Sequence, residues 1–297
     1  MRYRITFLRL LAAAVLLLVA PQALAAPLRV FVSVVPLRCF VERVGGDRVD
    51  VRVLVQPGQS PATYEPTPRQ MAALGGADLF FRVGVPFERS WMGRIQSLYP
   101  RLPVVDLSAG MTLRPLGEAP AGSDQAQGHQ HGAGEGVADP HVWTSPPRVM
   151  AMTRRIADTL ARLDPAHEAA YRRRAEQFVT DLRALDAAIR RTLAGRAGQA
   201  FLVYHPAWGY FADTYGLRQV AIEVGGHEPG PRTLARVIER ARAEDVRVIF
   251  VQPQYSRTNA EAVARATGAT VVTADPLAED YLANMRAVAR AFAEALR

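Results

Sequence analysis

Cysteine is nearly absent from this chain: Cys39 stands alone in 297 residues, which excludes an intrachain disulfide and any metal cluster built on thiolates. Lysine is missing altogether, and all 36 basic residues are arginines. Histidine is scarce, with six in all, so each can be weighed singly as a metal ligand beside Asp and Glu. After the N-terminal segment no apolar run of 18 residues occurs, which removes a membrane-spanning helix from the mature chain. A nucleic-acid surface lacks its footprint too. The densest basic run, Arg172 to Arg174, lies among Glu168, Glu176, Asp181 and Asp186 and reads as a solvated helix face. No P-loop, G-x-S-x-G elbow or H-E-x-x-H helix is present.

What remains is a composition of 49% apolar and 22% charged residues, ordinary for a globular protein with room for two cores. Arg2, Arg4 and Arg9 flank or open the apolar run Leu10 to Ala20, which ends in Pro21 and Ala23-Leu24-Ala25. That is the pattern of a secretory signal over residues 1–25, with cleavage expected before Ala26 and export to the periplasm. Losing its three arginines lowers the formal net charge from +8 to +5. No cysteine stands at the cleavage site to carry a lipid.

From Leu28 onward, short β-branched runs alternate with helical patterns: Val30–Val35, Leu37–Val44, Val49–Val55, Met71–Leu74 and Leu79–Val83. Apolar strands separated by single helices predict an α/β fold with parallel sheets covered on both faces. Residues 117–138 interrupt the pattern with Gly, Ala, Ser and Gln, carry His129 and His131, and read as a flexible loop. Ser145 and Asp164 are candidate caps for helices opened by Pro146 and Pro165. The second pattern meets no breaker before Gly195, and thirty residues of helix would span about 45 Å. Alternation then resumes with strands at 200–204, 220–223, 246–251 and 270–273 and a last helix at 281–296. The expected organisation is an N-terminal lobe (26–164), a linking helix (165–195) and a C-terminal lobe (196–297), each lobe a parallel sheet flanked by helices.

Three residues share a setting suited to ligand binding. His205 follows a strand and precedes Pro206, Asp275 follows a strand and precedes Pro276, and His141 follows Asp139-Pro140. Ligands of open parallel sheets bind beyond the carboxyl ends of the strands, so these side chains can converge on one cleft. The stretches Gln56–Pro68 (QPGQSPATYEPTP), Asp139–Pro146 (DPHVWTSP), His205–Phe211 (HPAWGYF) and Asp275–Ala278 (DPLA) resemble, in order, the four ligand-bearing segments of the zinc/manganese-type periplasmic solute-binding proteins of ABC transporters.

The resemblance implies a non-enzymatic receptor that captures a divalent cation between the lobes with His141, His205 and Asp275 and hands it to a membrane ABC permease. Two imidazoles with one carboxylate favour Zn2+, with Mn2+ less suited. The chain departs from the family at Ala62, which stands where a fourth ligand, a histidine, is usual. Sharing the ~10–16 kcal/mol of a structural zinc site over four ligands makes the missing one worth about 3 kcal/mol, roughly a hundredfold in affinity. Glu65 or a water could fill the position, with His129 and His131 as auxiliary, weaker ligands. His227 and His167 read as a loop residue and a surface residue, and Cys39 as a small hydrophobe. Trp143, Trp208, Tyr64 and Tyr210 neighbour the ligand segments and could wall the metal off from water. Two other readings stay open: a receptor for a metal chelate or for metal from a periplasmic metallochaperone, using the open position, and a zinc hydrolase, since three ligands plus water is also a catalytic pattern. A monomer is expected.

Overall fold

The computed structural model describes residues 26–116, 137–223 and 230–296. The expected secretory segment, His129, His131 and His227 lie outside these residues. Among them, no helix is long and apolar enough to cross a membrane.

Two four-stranded parallel sheets repeat one topology. The first has the order β2-β1-β3-β4, from β1 (Leu28–Val32), β2 (Val49–Val53), β3 (Leu79–Arg82) and β4 (Val104–Asp106). The second has the order β6-β5-β7-β8, from β5 (Ala200–Val203), β6 (Arg218–Ala221), β7 (Val248–Val251) and β8 (Thr270–Thr273). Helices α1 (Val35–Gly45), α2 (Pro68–Leu74) and α3 (Pro86–Leu98) connect the first sheet, and α6 (Gly209–Tyr215), α7 (Pro231–Ala243) and α8 (Thr258–Thr267) the second. In each sheet the chain reverses direction across the sheet between its first and third strands. That switch point opens a crevice beyond the strand ends.

The expected α/β class and parallel sheets are observed, while details differ. Helix α3 and strand β4 went unread: α3 repeats Phe87, Trp91 and Ile95 at helical spacing, a readable signal that was missed, and β4 has three residues, too few to show a period. The linking helix is shorter than its expected span: a 3-10 turn at Pro165–His167 precedes α5 (Glu168–Thr192), whose 25 residues cover about 37 Å. It packs against α4 (Pro146–Leu163) as a hairpin. Neither expected cap acts as one. The Ser145 hydroxyl pairs with Thr214 Oγ1 at 2.8 Å, and the Asp164 carboxylate accepts the Tyr171 hydroxyl at 2.6 Å and faces His167 Nδ1.

Alternation along the inner strands feeds two cores. Phe201, Val203, Val248 and Phe250 face a large core that continues through α5 and α9 (Tyr281–Ala295) to α1, α4 and the first sheet. Leu202, Tyr204, Ile249 and Val251 face a second, smaller core under α7 and α8. Phe292 of α9 is the aromatic hub of the shared core. Its ring stacks on Phe250 at 3.9 Å between centroids and meets Phe201 edge-on at 4.6 Å and Phe211 at 5.1 Å. Phe292→Ala should lower unfolding free energy by about 3–5 kcal/mol in urea denaturation; a loss under about 1 kcal/mol would show that α9 is not integral to this core.

Candidate metal centre

His205 stands just past β5, where its peptide is clamped by one side chain. Gln252, buried at the end of β7, accepts the His205 N–H on Oε1 at 3.3 Å and donates Nε2 to the His205 carbonyl at 2.7 Å. The amide thus continues the parallel pairing of β5 and β7 for one residue after the strands part. His205 Nδ1 lies 3.0 Å from Glu223 Oε2, a carboxylate just beyond β6.

His141 opens a 3-10 turn, Val142–Thr144, and is buried. Asp139 Oδ1 accepts both its backbone N–H at 2.9 Å and its Nδ1 at 2.7 Å. Tyr210 of α6 donates its hydroxyl to the Asp139 carbonyl at 2.8 Å, Trp143 Nε1 donates to the Pro276 carbonyl at 2.8 Å, and Tyr281 donates to the Trp143 carbonyl at 2.9 Å. These bonds fasten the segment to the second half of the molecule.

The two imidazoles meet at 5.1 Å between ring centres, inclined by 75°. Each Nδ1 faces a carboxylate, which accepts from the Nδ1–H tautomer and leaves Nε2 as the donor atom, the arrangement in which outer carboxylates orient imidazole ligands. Both rings line a cavity of about 30 Å³, measured as space open to the centre of a water molecule. Its other walls include Pro61, Ala62, Val85 and Pro86 from the first half and Gln252, Gln254, Tyr255, Pro276 and Leu277 from the second. Tyr255 stacks on His205 at 5.0 Å, and its hydroxyl lies 3.5 Å from Ser60 Oγ. Burial pushes that phenol up to about 12, so it stays neutral.

The structure brings His141 and His205 together and holds Asp275 apart. Asp275 Oδ1 accepts the Gln254 side-chain N–H at 3.0 Å and the Leu277 backbone N–H at 2.9 Å. Among the described residues, no three His, Cys, Asp or Glu side chains are grouped closely enough to hold a metal. Ala62 lines the cavity, whereas Glu65 is exposed and outside its lining. Cys39 is half-buried on α1, where burial pushes its thiol up. Trp208 packs in the core against Phe292, Tyr64 against Phe87, and Trp143 meets His141 edge-on at 5.2 Å. Glu223, Gln252, Gln254 and Tyr255 are additions to the residues singled out from the sequence. They too lie just beyond strand ends, so the rule that selected His205 and Asp275 would have selected them.

Burial drives the His141 imidazole below its ordinary 6.5, and the neighbouring Asp139 only partly opposes this. The folded protein therefore favours neutral His141, and the unfolded chain takes up the proton first as pH falls. The stabilisation is complete above about pH 6.5 and is lost as pH falls through the depressed value. The metal-free protein should lose thermal stability progressively below pH 6.5, and His141→Gln should flatten that part of the profile. An unchanged profile in the variant would exclude His141 as its source.

A family model described as zinc-uptake complex component A, periplasmic, matches residues 30–295. The high-affinity zinc uptake system protein ZnuA of Bacillus subtilis is 29% identical over 250 residues, 82% of this chain and 76% of that one. The manganese-binding lipoprotein MntA of Halalkalibacterium halodurans is 27% identical over 248 residues, 82% and 77% of the two chains. A crystal structure of ZnuA superposes with a TM-score of 0.81 at 34% identity, covering 91% of this chain and 100% of its own. The parallel topology and the strand-end cleft thus come with a match over nearly the whole described chain. The protein belongs to the zinc-uptake component A family, whose members are metal-binding solute receptors of uptake systems and not enzymes.

Proposed function

We propose that this receptor captures Zn2+ in the cleft between its two sheets and delivers it to an ABC permease. Export through cleavage of the 1–25 segment before Ala26 would place the mature, monomeric chain in the periplasm, with its metal between the 26–164 and 196–297 lobes. The observation that carries the reading is the pair of facing imidazoles in one small cavity, each with Nδ1 engaged by its own carboxylate. Nitrogen donors of this kind suit zinc better than manganese, whose sites lean on oxygen. His141 and His205 supply Nε2 and Asp275 an oxygen once the metal draws it in; water takes the fourth position, beside the methyl group of Ala62. Glu65 supports that role less well, being exposed and outside the cavity lining.

The chelate alternative fits less well. A cavity with about 30 Å³ open to the centre of a water molecule has room for about two water-sized atoms, an ion with its water rather than a chelate. Calorimetry on protein stripped of metal tests the reading. Wild type should bind one tight zinc equivalent, His205→Ala should lose it, and Ala62→His should tighten it by about one to two decades by supplying a fourth protein ligand. Undiminished binding in His205→Ala would refute the site, and an unchanged affinity in Ala62→His would show that residue 62 does not face the metal.

A further inference from the structure

The two oxygens of Asp275 are treated differently by the protein around them. Hydrogen bonds from the described residues fall on Oδ1 alone, from the Leu277 N–H at 2.9 Å and Gln254 Nε2 at 3.0 Å. The backbone here is fixed as well. Asn284 donates to the Asp275 carbonyl at 2.7 Å, and the preceding Ala274 N–H bonds to the Val251 carbonyl at 3.0 Å. Gln254 stands two residues past Gln252 on the segment leaving β7, and both line the cavity with the histidines. Gln252 fixes the peptide of His205, while Gln254 reaches the carboxylate itself.

We infer that Gln254 is a specificity-determining residue: by holding Asp275 Oδ1 it confines the carboxylate to coordination through Oδ2 and keeps the coordination number of the captured metal low. The inference rests on Asp275 being a metal donor. Two imidazole nitrogens, one carboxylate oxygen and one water make four positions, the number zinc prefers. Manganese favours six oxygen-rich positions and gains from a carboxylate that binds through both atoms. An amide already donating to Oδ1 opposes that second bond, because the metal would have to displace it and leave a polar group unpaired. Leu277 N–H, being backbone, stays in place; Gln254 is the part of the restraint that a substitution can remove.

The test uses the mature full-length chain with Gln254→Leu and, closer in shape but equally unable to donate, Gln254→Met. Zinc and manganese dissociation constants are measured by competition, the visible absorption of the cobalt-loaded protein is recorded, and thermal unfolding of the metal-free form serves as a folding control. Both variants should shift the Mn2+/Zn2+ preference towards manganese by about tenfold, with weaker cobalt bands as the coordination number rises. A parallel loss of affinity for both metals, an unmoved ratio, or a shift towards zinc would each overturn the inference. Asp275→Asn separates this from the underlying reading. Unchanged zinc affinity there removes Asp275 from the site and the inference with it, whereas weakened affinity there with an unmoved ratio in the Gln254 variants overturns the inference alone.

Discussion

The proposed metal site depends on two imidazole–carboxylate contacts, His141 with Asp139 and His205 with Glu223. Each fixes a ring by one nitrogen and so determines what the other nitrogen can do. Without them a buried histidine could turn, change tautomer or take its proton on the inner face, and a pair of rings 5.1 Å apart would not amount to a donor set. Much of the neighbouring structure serves these two bonds. Tyr210 holds the Asp139 carbonyl, Trp143 and Tyr281 tie the 3-10 turn to the end of the second sheet, and Gln252 pins the backbone that carries His205.

The duplicated topology explains where this happens. Both sheets reverse between their first and third strands, and the two crevices contribute walls to one cavity. The contributions are unequal. The second sheet brings His205, Gln252, Gln254 and the Asp275 turn, and the His141 segment is fastened to the same half. The first sheet offers Pro61, Ala62, Val85 and Pro86, a wall without a charged or nitrogen donor. Such a wall lowers the local dielectric and strengthens the bonds of any ion held opposite it. The shared core beneath the cleft, centred on Phe292 and running through α5 and α9, keeps both halves on one support.

Much of this was legible in the sequence, for physical reasons that differ by element. The inner strands β5 and β7 bury both faces, so they appear as unbroken apolar runs flanked by turn residues. Short β4 left no periodic trace, whereas α3 repeats Phe87, Trp91 and Ile95 at helical spacing and was readable. Pro146 marked a helix start and Pro165 the 3-10 turn that leads into α5, yet the Ser145 and Asp164 side chains were claimed by Thr214 and Tyr171, partners 69 and 7 residues away. His141 and His205 were readable from their strand-end and proline contexts. Their carboxylate partners were harder to see: Glu223 is 18 residues from His205 and reaches it only because β6 lies beside β5. The partners of Asp275 were not legible either, since Gln254 reaches its carboxylate from 21 residues away along the segment leaving β7.

Zinc seated, as proposed, on the Nε2 atoms of His141 and His205 has a distinct signature in X-ray absorption at the zinc edge of the loaded protein. Two imidazoles should appear at about 2.0–2.1 Å together with two oxygen donors in a four-coordinate shell. That two-imidazole shell should be absent from both His141→Ala and His205→Ala. A shell of oxygens alone, or an imidazole count that does not change in His141→Ala and His205→Ala, would place the zinc elsewhere.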